Sequence, residues 1–204
     1  EKVSAMMRIR KFADDRCIIF ATERGTVKQT FLSFYRNIRR NGLIAINIEE
    51  GDRLVQVCQT LIDDHVMLTT AKGQTIRFDV LQVRATGRNT TGVRGIRLDP
   101  DDRVVSMTVV NPDATFMTAT VNGYGKRTSF DEFRPQNRGG KGIIGIQTSE
   151  RNGEVVAASA VREDEALMLM TANGLIVRTP VSEIRVIGRN TQGVRLINLD
   201  EGDT

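Results

Sequence analysis

The sequence predicts an all-β, propeller-like array of four repeats, and three observations carry that prediction. Glycine recurs in two sets at intervals of about 50 residues, Gly25, Gly73, Gly123 and Gly174 in one and Gly42, Gly92, Gly142 and Gly193 in the other. Apolar residues after the second set alternate with period two, the period of a strand, and β-prone runs flank the first set. Hardly any stretch reads as helix. A unit this small cannot bury an apolar face alone, so the repeats must pack on one another as blades or stacked units.

Within each repeat the elements follow one order. An apolar strand comes first, Val3 to Ile9, Leu54 to Val57, Val104 to Val109 and Val155 to Val161. A β-prone run then ends in a short turn: Thr22-Glu-Arg-Gly25, Thr70-Ala-Lys-Gly73, Thr120-Val-Asn-Gly123 and Thr171-Ala-Asn-Gly174. A second run such as Thr26 to Thr30 or Leu175 to Thr179 follows. Glycine reaches the left-handed backbone region that such turns require, so each repeat contains a hairpin. The second glycine opens another alternating segment, with Ile44, Ile46 and Ile48, Ile96 and Leu98, Ile144 and Ile146, and Ile197 and Leu199 on one face. On its other face Ala45, Gly95, Gly145 and Leu196 form a mostly small column, which predicts close packing of the next repeat. An acidic turn closes the unit: Glu49-Glu-Gly-Asp52, Asp99-Pro-Asp-Asp102, Glu150-Arg-Asn-Gly-Glu154 and Asp200-Glu-Gly-Asp203. The result is four strands per repeat, with approximate repeats 1–52, 53–102, 103–154 and 155–204 in one repeat domain over 1–204. Four units cut at equivalent places read as a section of a longer array.

Composition sets outer limits. Hydrophobic residues make up 40% of the chain, enough for a core. No run approaches the roughly 18 apolar residues of a membrane span, and the start lacks a secretory pattern, which predicts a soluble chain. Cys17 and Cys58 lie in apolar strand-like segments without a C-x-x-C pair, as expected of buried thiols in a reducing cytoplasm.

Charge is informative through its placement, since 29 Lys and Arg against 25 Asp and Glu make the chain only mildly basic. The loops before each second glycine carry Arg36, Arg39 and Arg40; Arg84 and Arg88; Arg134, Arg138 and Lys141; and Arg185 and Arg189, without a single carboxylate. A strand of about seven residues, at about 3.3 Å each, is expected to hold these loops on the order of 20 Å from the acidic turns. One solvated loop is charged for no special reason, but four loops that exclude one sign form a rim that attracts a polyanion. Double-stranded DNA fits, because arginine, lysine, asparagine and glycine-turn NH groups bind phosphate oxygens. Lys28, Arg77, Lys126, Arg127 and Arg178 on the hairpins fall near the same place in the repeat and are candidates for the same surface, or simple outer-strand charge.

Little here reads base sequence. Tryptophan is absent and aromatic residues make up 5%, which disfavours stacking on single strands, and no long helix offers itself to a major groove. Enzyme signals are equally thin. His65 is the only histidine and sits beside Asp63 and Asp64 as an exposed turn residue would; Tyr35 and Tyr124 lie inside the repeated β pattern. No phosphate-loop motif occurs, and the acidic turns lack the spacing of a calcium loop, so no metal is expected.

Gln136-Asn137-Arg138-Gly139-Gly140-Lys141-Gly142 resembles the gyrase A box, Q-R-R-G-G-K-G, with Asn137 in place of its second residue. Arg88 to Leu98, Gly188 to Val194 and Asn122 to Thr128 are similar to segments of the same family, the DNA gyrase A C-terminal domain, and the resemblance spans all four repeats. It implies a β-pinwheel whose four-stranded blades exchange strands and whose basic perimeter bends DNA. Because the family's box lies in the first blade and this one in the third repeat, the resemblance implies that Gln136 to Gly142 is a box-like loop of a later blade. The resemblance further implies a noncatalytic part of a bacterial, cytoplasmic, ATP-dependent topoisomerase acting on the chromosome. Its partners would be double-stranded DNA, the rest of the gyrase A polypeptide as a homodimer, and the gyrase B polypeptide. This chain would need no cofactor, ATP and Mg2+ belonging to the parent enzyme. The homologous C-terminal domain of topoisomerase IV is the near alternative; a propeller that binds protein through its faces is the distant one.

Overall fold

The computed structural model describes residues 3–204 and contains strands joined by turns and four short 3-10 segments. In chain order the strands are β1 (Cys17–Thr22), β2 (Thr26–Phe31), β3 (Leu54–Thr60), β4 (His65–Thr70), β5 (Gln74–Asp79), β6 (Val93–Arg94), β7 (Val104–Val109), β8 (Thr115–Thr120), β9 (Tyr124–Ser129), β10 (Ile143–Ile144), β11 (Val155–Val161), β12 (Ala166–Met170), β13 (Ile176–Pro180) and β14 (Val194–Arg195).

All four hairpins form where the glycine turns predict them. Gly25, Gly73, Gly123 and Gly174 have φ between +75° and +90°, a region that disfavours any side chain. Threonine opens each turn for a separate reason. The hydroxyls of Thr22, Thr70 and Thr171 accept from the backbone NH four residues on, each at 3.2 Å, so they cap the turn that glycine closes.

The first three hairpins are completed by strands that follow them in the chain. The orders are β3-β1-β2-β6, β7-β4-β5-β10 and β11-β8-β9-β14, all antiparallel, and β12 with β13 forms a two-stranded sheet. The fourth strand is exchanged: β6 follows the second hairpin yet pairs with the first, β10 follows the third and pairs with the second, and β14 follows the fourth and pairs with the third. The strand expected after Gly42 is therefore absent, since no earlier hairpin within the described residues receives it, and Ile44 and Ile48 lie exposed. The same reason leaves Val3 to Ile9 without strand structure. The inner strands β3, β7 and β11 pack on one another in succession, with Met107 NH donating to Gln56 Oε1 at 3.1 Å, so the exchanged strands lie at the opposite, outer edge.

Exchange rests on close backbone approach. The NH groups of Gly95, Gly145 and Leu196 donate to the carbonyls of Gly25, Gly73 and Gly123 at 2.8, 2.9 and 2.8 Å. Behind them Ile96, Ile146 and Ile197 are buried, whereas Ile144, two residues earlier than Ile146, faces outward at the position Arg94 and Arg195 occupy in neighbouring sheets. Volume is conserved across the seam. A β-carbon on Gly95 would stand 2.8 Å from Val27, one on Gly145 would collide with Thr75 Oγ1, and one on Gly125 would stand 2.5 Å from Leu196. Where the exchanged strand carries glycine the hairpin carries a larger residue, and in the third sheet the two are interchanged.

The acidic turns clasp the hairpin tips. Asp52, Asp102 and Asp203 each accept through Oδ1 from the tip NH groups of Arg24, Lys72 and Asn173, all at 3.0 Å, and from the following NH at 2.8 Å. The third turn lacks that aspartate. Buried Asn152 orders it instead, accepting from Ser149 and donating to the Gln147 and Gln192 carbonyls.

The seam predicts a compensating pair. Gly95→Ala should lose about 1–3 kcal/mol by overpacking. Combined with Val27→Ala it should lose less than the sum of the two single changes, by about 1 kcal/mol, in urea unfolding.

Candidate nucleic-acid interface

The second, third and fourth basic loops each leave their own hairpin and cross to the outer edge of the preceding one. Ala85, Pro135 and Val186 bridge in parallel to Gln29, Arg77 and Arg127, and the chain then turns back into the exchanged strand. The box-like loop shows why its glycines are needed. Gly139 NH donates to the Gly95 carbonyl at 2.6 Å, the Gly140 carbonyl accepts from Arg97 NH at 2.8 Å, and a β-carbon on Gly142 would stand 2.6 Å from the Thr75 carbonyl. Gln136 is half-buried, its NH on the Arg77 carbonyl, and Asn137 is exposed.

Loop cations divide into two groups. Arg88 and Arg189 reach back to the carbonyls of Ile44 and Ile144, and Arg138 donates to those of Gln82 and Arg94 at 2.7 and 3.0 Å. These half-buried guanidinium groups hold neighbouring loops together. Arg36 pairs with Asp14 at 3.2 Å, and Lys141 with Asp99 at 2.6 Å, which holds that carboxyl below its ordinary range. By contrast Arg39, Arg40, Arg84, Arg134 and Arg185 are exposed, and their side chains have no hydrogen-bond or ion-pair partner among the described residues. Arg84, Arg134 and Arg185 occupy the same position in three successive repeats. Between the first two loops a groove of about 450 Å³ is lined by Arg39, Asn41, Gly42, Leu43, Ile44, Arg88 and Asn89.

The hairpin cations require correction. Lys28 and Lys126 are 1% and 0% exposed. Lys28 Nζ donates to the carbonyls of Ala45 and Arg88 at 2.6 and 2.7 Å; Lys126 Nζ donates to those of Gly188 and Arg189 and to Thr191 Oγ1. Desolvation lowers both ammonium groups to about 8. Arg127 is buried on Glu163 and the Ile184 carbonyl, and Arg77 donates to the carbonyls of Phe130 and Phe133. These four side chains fasten a following loop or 3-10 turn; Lys28, Lys126 and Arg127 are buried and Arg77 is half-buried. Arg178, at the position equivalent to Arg77 and Arg127, is exposed because no fifth unit within the chain supplies those carbonyls.

Two further features escape a linear reading. Arg94, Arg97 and Arg195 lie exposed on or just after the exchanged strands, a placement hinted at only by Gly92-Val-Arg94 and Gly193-Val-Arg195. The expected separation of basic and acidic loops fails between neighbours, as Lys141 on Asp99 shows, because exchange brings each loop beside the preceding unit.

These features define an all-β, propeller-like repeat domain with exchanged edge strands and a perimeter of uncommitted arginines. The family described as DNA gyrase C-terminal domain, beta-propeller, matches residues 18–57, 64–111, 114–162 and 165–204, and the chain belongs to it. It is 45% identical over 203 residues to the DNA gyrase A polypeptide of Escherichia coli K12, and 42% identical over 206 residues to that of Mycolicibacterium smegmatis. In both comparisons all of this chain is covered, against 23% and 24% of the relative. Among solved structures, the DNA gyrase A C-terminal domain superposes with a TM-score of 0.88 at 25% identity, over 98% of this chain and 67% of that one. The C-terminal domain of DNA topoisomerase IV gives 0.86 at 26%, over 93% and 60%.

The buried lysines make a prediction. Lys126→Met should cost about 1.5–3 kcal/mol in urea unfolding at neutral pH, by stranding the loop carbonyls. The folded pKa, about 8, lies below the ordinary 10.5, so the unfolded chain binds more protons between them and wild type gains stability as pH rises through that window. Wild type's advantage over the variant should therefore widen from pH 8 to 10.5.

Proposed function

We propose that this chain is a noncatalytic DNA-wrapping section of the gyrase A C-terminal domain, working in the bacterial cytoplasm on the chromosome. Residues 1–204 act in this reading as one repeat domain within a larger polypeptide that dimerises and joins gyrase B. Strand cleavage and the use of ATP and Mg2+ fall to those other parts, and this chain needs no cofactor.

The observation that carries the reading is the repeat of partner-free arginine at Arg84, Arg134 and Arg185, beside edge strands bearing Arg94 and Arg195. Cations paired with carboxylates or fastened to buried carbonyls give little to a ligand. Arg84, Arg134 and Arg185 have no partner among the described residues and recur at one position along an outer edge, so a stiff polyanion following that edge meets them in turn. Bending a duplex whose persistence length is about 150 bp requires such distributed contacts rather than one strong one. Phosphate contact without base readout is the mode, since backbone and arginine line the loops. The groove between the first two loops offers the same chemistry from Arg39 and two asparagines.

A salt titration with a duplex of about 40 bp tests this. Affinity should fall with a slope near −0.9 per phosphate neutralised, and Arg84→Ala, Arg134→Ala and Arg185→Ala should each make the slope shallower by about that amount without changing stability. No binding at low salt, or binding insensitive to salt, would refute the reading and favour a protein-binding propeller.

A further inference from the structure

We propose a phosphodiester-binding station at the outer edge of the third sheet, formed by Arg151, Arg195 and Tyr124. It rests on the DNA-binding reading and assigns to that surface residues outside the basic loops. Arg195 lies on β14 directly opposite Tyr124 on β9, donates to the phenol oxygen at 2.6 Å, and sets its guanidinium carbon 5.1 Å from the ring centroid. Arg151 arrives from the third acidic turn, with its guanidinium carbon 4.7 Å from the same centroid. It is the one basic residue in the four acidic turns, and it stands in the turn that lacks the usual aspartate clasp and is ordered by buried Asn152.

Neither arginine has a carboxylate within ion-pair distance among the described residues, although both are exposed. Their remaining partners are neutral, Gln192 Oε1 for Arg151 and Asn198 Oδ1 for Arg195. Two guanidinium groups converging on one ring repel each other, and an anion bridging them removes that repulsion. Tyr124 accepts from Arg195, and its own hydroxyl hydrogen has no acceptor among the described residues, leaving a neutral donor beside two cationic ones. Hydrogen bonding from Arg195, and then from Arg151, also holds the phenol below its ordinary range.

The station adjoins the rim. Gln192, which holds Arg151, belongs to the fourth basic loop, and Arg195 follows that loop after Gly193 and Val194. The equivalent hairpin and edge pairs are Thr26 with Arg94 in the first sheet and Gln74 with Ile144 in the second. Neither provides an aromatic plate with two arginines. The contact is thus an anchor specific to the third sheet, and a duplex on the perimeter is held more tightly there.

Arg151→Ala and Arg195→Ala, titrated with salt against a duplex of about 40 bp, should each make the slope shallower by about 0.9. Tyr124→Phe should weaken binding roughly threefold at unchanged slope, because it removes a neutral donor. Arg195→Lys keeps the charge and should restore the slope; thermal unfolding without DNA checks that each variant is folded, and Arg151→Gln stands in if the alanine change is not tolerated. If wild type shows salt-dependent binding but the Arg151 and Arg195 variants share its slope, the station is refuted and the perimeter reading survives. If wild type does not bind, both fall.

Discussion

A single backbone contact repeated three times organises this molecule: the returning chain donates its NH to the carbonyl of the glycine that turns the preceding hairpin. At 2.8–2.9 Å this approach leaves no room for a side chain at the turn, and it fixes the short exchanged strand, the buried isoleucine behind it and the path of the loop that leads in. Paired small and large residues across the seam follow from the same distance. An edge strand of two residues also blunts the outer side of the three four-stranded sheets, where a longer unpaired edge would invite association.

Exchange also sorts the cations. A loop that crosses onto the preceding hairpin carries carbonyls whose ladder partners are missing, and Lys28 and Lys126 supply donors for them from beneath. At the matching position of the second hairpin stands Ile76, and the loop above it is the one with Gly139 and Gly140, which packs close without an ammonium group. Arginines further out are left without internal work. What the perimeter offers to a polyanion is therefore the charge that remains after the array has been fastened together.

The acidic turns illustrate the same economy. Their final aspartates accept two backbone NH groups each, so part of the negative charge that looks like a second surface is a structural clasp. In the third unit Asn122 at the hairpin tip donates to the carbonyls of Glu150 and Arg151 instead, and the turn carries the Arg151 side chain to the edge. Similarity to gyrase A over the whole chain sets these differences among four units within a shared architecture.

Hairpins, turn glycines, the period of about 50 residues and the one-signed loops were all legible in the sequence, because each is a local property of backbone sterics or of charge along the chain. Which hairpin a strand joins was not legible. Gly42 to Ile48 has the same pattern as its counterparts and forms no strand, because pairing depends on a neighbour and not on the segment. Nor could sequence separate Lys126 from Arg134: both are cations near a glycine loop, and only the tertiary structure decides that one meets carbonyls in a dry seam and the other meets water. Charge is written in the residue, whereas its availability depends on what the rest of the fold places beside it.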